Sequence, residues 1–93
     1  MKMNKNMLSG EIKSDEAVGV IFSRLQERLM DEKELVIDMS EVSFISVSFL
    51  DRLEKLLLQA NELSTDVRIT NVQPTVYKVF RVARIKSILQ ACS

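Results

Sequence analysis

Leu35-Val36-Ile37-Asp38-Met39, continued by Ser40-Glu41-Val42-Ser43-Phe44-Ile45-Ser46-Val47-Ser48-Phe49-Leu50, is the stretch on which the reading of this chain turns. Its first five residues are apolar on both alternating faces apart from Asp38, as in a central strand covered on both sides. Ser40 to Val47 is rich in serine and reads as a connection. From Phe49 to about Glu62 the apolar period becomes helical. With Leu53 at the centre of the buried side, a rotation of about 100° per residue brings Phe49, Leu50, Leu56, Leu57, Ala60 and Leu63 to the same face. Leu58 alone falls among the polar Asp51, Lys55 and Glu62 on the opposite side. The segment thus predicts a buried strand, a polar connection and an amphipathic helix over 48–62.

The same alternation extends in both directions. Upstream, beyond the charged turn Asp31-Glu32-Lys33-Glu34, the residues Val18, Ile21, Phe22, Leu25 and Leu29 recur at i, i+3, i+4, i+7 and i+11, with Ser14 or Asp15 able to cap. This predicts a helix over 15–30, with Val20 and Met30 pointing away from the main stripe. Leu8-Ser9-Gly10-Glu11-Ile12 reads as the end of a strand leading into a connection. Downstream, Leu63-Ser64-Thr65-Asp66 carries turn residues, and Val67-Arg68-Ile69-Thr70 alternates as a half-buried strand does. Pro74 suits the first turn of a helix over 74–84, in which Val76, Val79, Phe80 and Ala83 share the core face. Ile85, Ile88 and Leu89 close the core as a short terminal piece. Strand, helix, strand, helix, strand, helix in that order implies an α/β fold: a central, mostly parallel mixed sheet, right-handed crossovers and covering helices. At 93 residues the chain is expected to form one domain over 1–93.

Composition excludes several classes of function. There is no histidine, which removes the commonest general base near neutral pH and the commonest zinc ligand. Cys92 is the only cysteine, so no internal disulfide holds the fold, in keeping with a reducing compartment. No apolar run approaches the roughly 18 residues that cross a bilayer, and Met1 to Gly10 lacks the apolar stretch of a signal peptide. A cytoplasmic location without membrane insertion is expected. Gly10 and Gly19 are the only glycines, so there is no glycine-rich phosphate loop. Asp38, Glu41 and Asp51 lack the supporting motif of a carboxylate metal site, and they read as a strand end, a turn and a helix start. No catalytic residues, metal or cofactor are expected.

Net charge is zero, yet all thirteen acidic residues lie between Glu11 and Asp66. From Val67 onward the only charges are Arg68, Lys78, Arg81, Arg84 and Lys86. A nucleic-acid surface normally adds a positive net charge and stacking aromatics, and the chain has four Phe and one Tyr. A solvated helix face with cations suited to the macrodipole is the better reading, and no nucleic-acid partner is expected.

The central stretch resembles the signature of STAS domains, the family of bacterial anti-sigma-factor antagonists. That signature runs from an apolar strand ending in Asp-x-Ser, through x-Val-x-Phe-Ile, to Asp-Ser-Ser/Thr-Gly-Leu at a helix start. Leu8-Ser-Gly-Glu-Ile12 is similar to the family's early Leu-x-Gly-Glu-Leu-Asp strand. Asn71-Val72 with Pro74, Val76, Val79 and Phe80 is similar to its late Asn-Val-x-Pro-x-Val-x-x-Val-Leu segment. The resemblance implies a STAS-like fold and a protein partner of the anti-sigma-factor or serine-kinase type. It also implies that Ser48, at the position of the second Ser or Thr of the central motif, is the phosphoacceptor. Around it the chain departs from the pattern, with Ser46 for Asp, Val47 for Ser, Phe49 for Gly and Asp51 for a small residue.

Two readings of Ser48 follow. A phosphate at a helix start meets free backbone N–H groups and the positive end of the dipole, although Asp51 would repel it. Alternatively, Ser48 is the N-cap and Asp51 its partner in a capping-box-like pair, contributing roughly 1 kcal/mol. The partner surface is expected to comprise Ser46, Val47, Ser48, Phe49, Asp51 and the exposed Leu58. It would serve either a partner-switching regulator or a subunit docked permanently on a larger complex, such as a transporter's ATP-binding subunit. A homodimer is compatible with both.

Overall fold

The computed structural model describes residues 5–9 and 15–92, with side chains from residue 16 to 92. Its elements run β1 (Lys5–Ser9), α1 (Asp15–Asp31), β2 (Glu34–Glu41), α2 (Val47–Glu62), β3 (Asp66–Thr70), α3 (Pro74–Ala83) and α4 (Lys86–Ala91). The strands form one sheet in the order β1-β2-β3, and both described pairings are parallel. β2 is therefore the central strand, as its two-sided apolar pattern predicts. Leu35, Ile37 and Met39 are buried on one face and Asp38 on the other. In β3 the alternation is kept, with Val67 and Ile69 buried and Arg68 exposed, and these two apolar residues lie opposite Leu35 and Ile37. The first strand runs Lys5–Ser9 and so includes Leu8 and Ser9 of the expected strand end; the rest of that segment, from Gly10 to Ile12, lies outside the described residues.

α1 packs against α2 and β2, and α2 also reaches β3 and α4. Val18, Phe22, Leu25 and Leu29 of α1 meet Phe49, Leu53, Leu56, Leu57 and Ala60 of α2 in one core, while Val20, Met30 and Leu58 face outward. Leu63, expected inside, is exposed. It caps the C-terminus of α2, where the chain leaves the helix through Ser64 at φ 57°, so the turn carries it away from the buried stripe. Thr65 then ties this turn to the end of α1, its hydroxyl donating to the carbonyls of Leu29 and Glu32, each at 3.4 Å.

The core stripe of α3 is narrower than its sequence predicts. Val76 and Phe80, four residues apart and thus on one line of the helix, are fully buried, but Val79 and Ala83 are exposed. Arg84 takes the left-handed conformation at φ 57° and closes the helix directly after Ala83, so its last turn leaves the core. The chain turns back into α4, where Ile88 is buried and Ile85 and Leu89 pack against the core. Cys92 ends the described chain in a parallel bridge to Ile69 of β3. Among the described residues no helix is long and apolar enough to cross a membrane.

Candidate functional site

The polar end of β2 is anchored before it reaches α2. Asp38, buried within the strand rather than ending it, accepts at Oδ1 from the backbone N–H of Ser40 (2.9 Å) and from Nδ2 of Asn71 (3.3 Å). Asn71 sits in the left-handed region at φ 56°, which Asn tolerates better than most residues. Gln73 Nε2 donates to the carbonyl of Ser40 at 2.8 Å. Two side chains from the segment after β3 thus fix the polar end of β2, although 33 residues separate each pair. From that anchored point Val42 and Ile45 turn inward and are buried, leaving Phe44 outside at 47% exposure.

The helix then starts at Val47, one residue before its predicted start, and its cap lies two residues earlier than the sequence suggests. Ser46 is the N-cap: its backbone is extended (φ −95°, ψ 168°) and its Oγ accepts from the N–H of Phe49 at 3.1 Å. Ser48 is therefore the second residue of the helix and not its cap. Asp51 lies too far along to close a capping box, and its Oδ2 instead pairs with Lys55 Nζ at 3.1 Å, one turn on. The cap goes to Ser46 because Phe49 must face inward: its ring is fully buried and meets that of Phe22 edge-on, with centroids 5.2 Å apart. Phe49, placed on the buried face by the helical period and on the contact surface by the motif, is a core residue.

Of the expected surface residues, Ser46, Val47, Ser48 and Asp51 come together at the start of α2. Val47, next to the cap, is 81% exposed. Ser48 is half-buried in a cleft of about 300 Å³ between α1 and α2, lined also by Phe22, Gln26, Asp51, Arg52 and Lys55. Leu58 is exposed on the same stripe of α2 as Val47 and Asp51, but farther along, where it borders a separate groove toward α4. The residue that sequence reasoning missed is Phe44, which with Val47 gives the site exposed apolar surface on both sides of the cap. Its signal was the break in alternation between Val42 and Ile45, where two consecutive outward residues, Ser43 and Phe44, separate two inward ones.

Among the described residues no group of three or more acidic or thiol side chains could hold a metal ion. What the arrangement offers is a shaped surface with apolar residues, a compensated ion pair and one hydroxyl in a cleft. Compared with known proteins, the chain matches a family model described as the STAS domain over residues 7–92. Comparison with curated proteins finds no match.

Proposed function

The chain belongs to the STAS domain family, and from that premise we propose that it is a non-enzymatic regulatory module, a single domain that acts in the cytoplasm by docking a protein partner on the start of α2. The partner is of the anti-sigma-factor or serine-kinase type, and phosphorylation of Ser48 switches the contact. The observation that carries this reading is the position of the cap. Because Ser46 holds the first turn, the Ser48 hydroxyl is free of that structural task and lies in the cleft beside Arg52 and Lys55. A phosphate on the second helical residue is favoured by the helix dipole and has Arg52 one turn away on the same face. Asp51 opposes it, but that carboxylate is already paired with Lys55. The phosphate adds about −1.5 to −2 charges, with their hydration, beside the exposed Phe44 and Val47, which releases a partner seated on them.

Mass spectrometry of the protein from its native cell should find phosphate on Ser48. Ser48→Asp should lose the partner in pull-downs, and Ser48→Ala should hold it constitutively. Unmodified Ser48 together with unchanged capture by Ser48→Asp would sink the switch.

Val47 favours a second reading. An apolar side chain standing in water where the resembled motif has a serine suits a contact that does not come apart. On that reading the chain is a permanent subunit of a larger complex, such as one with a transporter's ATP-binding subunit. Co-purification at fixed stoichiometry, insensitive to Ser48→Asp and abolished by Val47→Asp or Leu58→Asp, would select it.

A further inference from the structure

We propose that the outer face of α3 is a second docking surface, one that takes an acidic, amphipathic helical segment of another protein. Pro74, Tyr77, Lys78, Arg81 and Val82 recur along α3 at i, i+3, i+4, i+7 and i+8, on the side opposite the buried Val76 and Phe80. Together with Arg84 they line an open groove of about 770 Å³. Its apolar surface is real: Val82 is 74% exposed and Tyr77 39%. Its charge is uncompensated as well. Among the described residues, Lys78, Arg81 and Arg84 have no ion-pair partner, and no acidic residue follows Asp66 in the chain. A protein of zero net charge thus concentrates on α3 and its C-cap three cations without an ion-pair partner among the described residues, and the complementary ligand is an anion.

The pattern of the groove decides which anion. On a helix that lies on a membrane, the bulky apolar residues form one face and the cations another. Here Lys78 and Arg81 lie between Tyr77 and Val82 along a single stripe, so that cations and apolar side chains share one face. Single-stranded nucleic acid needs a run of stacking aromatics, and Tyr77 is the one aromatic on this face. Apolar anchors at i, i+3 and i+4 spacing with acidic residues between them match a stripe that sets two cations between two apolar contacts, which is the helix-in-groove mode of recognition. The proposal does not depend on the use of the α2 start.

The test uses the full chain with a synthetic helical peptide carrying Leu at i, i+3, i+4 and i+7 and Glu between them. A counterpart with Lys for every Glu, phosphatidylglycerol vesicles and a single-stranded DNA oligomer serve as competing ligands. The Glu peptide should bind, shift the backbone amide resonances of residues 74–84, and weaken as salt is added. Arg81→Glu and Val82→Asp should each lower its affinity about tenfold or more while circular dichroism stays unchanged. Ser48→Asp should leave the affinity as it is. The proposal is overturned if the Glu peptide fails to bind, if the Lys peptide binds as well, if the shifts map to residues 44–51, or if only the vesicles or the DNA bind.

Discussion

The start of α2 and the outer face of α3 expose similar amounts of apolar side chain but treat charge in opposite ways. At the start of α2, Asp51 and Lys55 neutralise each other, and the apolar Phe44 and Val47 stand beside a capped, anchored turn. Along α3, Tyr77 and Val82 are set among cations without an ion-pair partner among the described residues, and the helix begins without a side-chain cap while Gln73 donates to Ser40. Exposed charges are screened over about 8–10 Å at ordinary salt, whereas apolar contacts are not. On the proposed readings the two surfaces differ in what would govern them: burial and one added phosphate at α2, ionic strength at α3. One small fold can in this way carry two contacts that respond to different conditions.

The severest test is of the anchors beneath the two surfaces. Phe49→Ala and Phe80→Ala each remove a fully buried ring and should cost about 3–5 kcal/mol in denaturant melts. The loss should be larger for Phe49, whose edge-on contact with Phe22 adds about 0.5–1.5 kcal/mol. A much cheaper Phe80→Ala would mean that α3 is loosely held and that its groove is not a rigid surface. Next in size, Ser46→Ala should cost about 0.5–2 kcal/mol, and Ser48→Ala less than about 0.5 kcal/mol. The reverse order would return the cap to Ser48 and remove the free hydroxyl on which the switch relies.

Smaller still, Val47→Asp and Val82→Asp should each change stability by no more than about 0.5 kcal/mol, since both side chains are exposed. A large loss in either would show that the residue is packed and not available to a partner. The smallest effect lies outside both surfaces and serves as their reference. Burial pushes the Cys92 thiol above its ordinary value of 9.0. Its neutral form is thus favoured in the folded state: the contribution is complete below the unfolded thiol's titration and is lost as pH rises through the folded value. Stability measured from about pH 8 to about pH 10 should decline, and Cys92→Ala should remove part of that decline. Neither Val47→Asp nor Val82→Asp should alter it.

What the sequence made legible was the periodic part of the molecule. The helices expected over 15–30, 48–62 and 74–84 occur at Asp15–Asp31, Val47–Glu62 and Pro74–Ala83, because dense apolar stripes leave little choice of face. The site was harder to read because it depends on which of two nearby serines caps. Ser46 and Ser48 have the same capping chemistry, and the choice is made by Phe49 entering the core against Phe22, a contact 27 residues distant in the chain that no local pattern displays. The helical period puts Phe49 on the buried face while its place in the motif, where it replaces a glycine, puts it on the contact surface, and the period is the one the fold follows. Asp38 and Asn71 were each visible in the sequence, but their pairing exists only once β2 and β3 lie side by side.

The bridge between Cys92 and Ile69 bears on how the protein ages. Ile69 faces Ile37 across one edge of β3, so Cys92 must occupy the other, the outer margin of the sheet. An uncovered outer strand is a template on which another chain can add by backbone pairing, the first step toward fibrils. The return of the chain to Cys92 blocks part of that template with the protein's own backbone. A protease that trims past Cys92 therefore leaves the core residues in place and opens the sheet to further copies, and turbidity or thioflavin fluorescence in stored samples should rise with the fraction of trimmed chains.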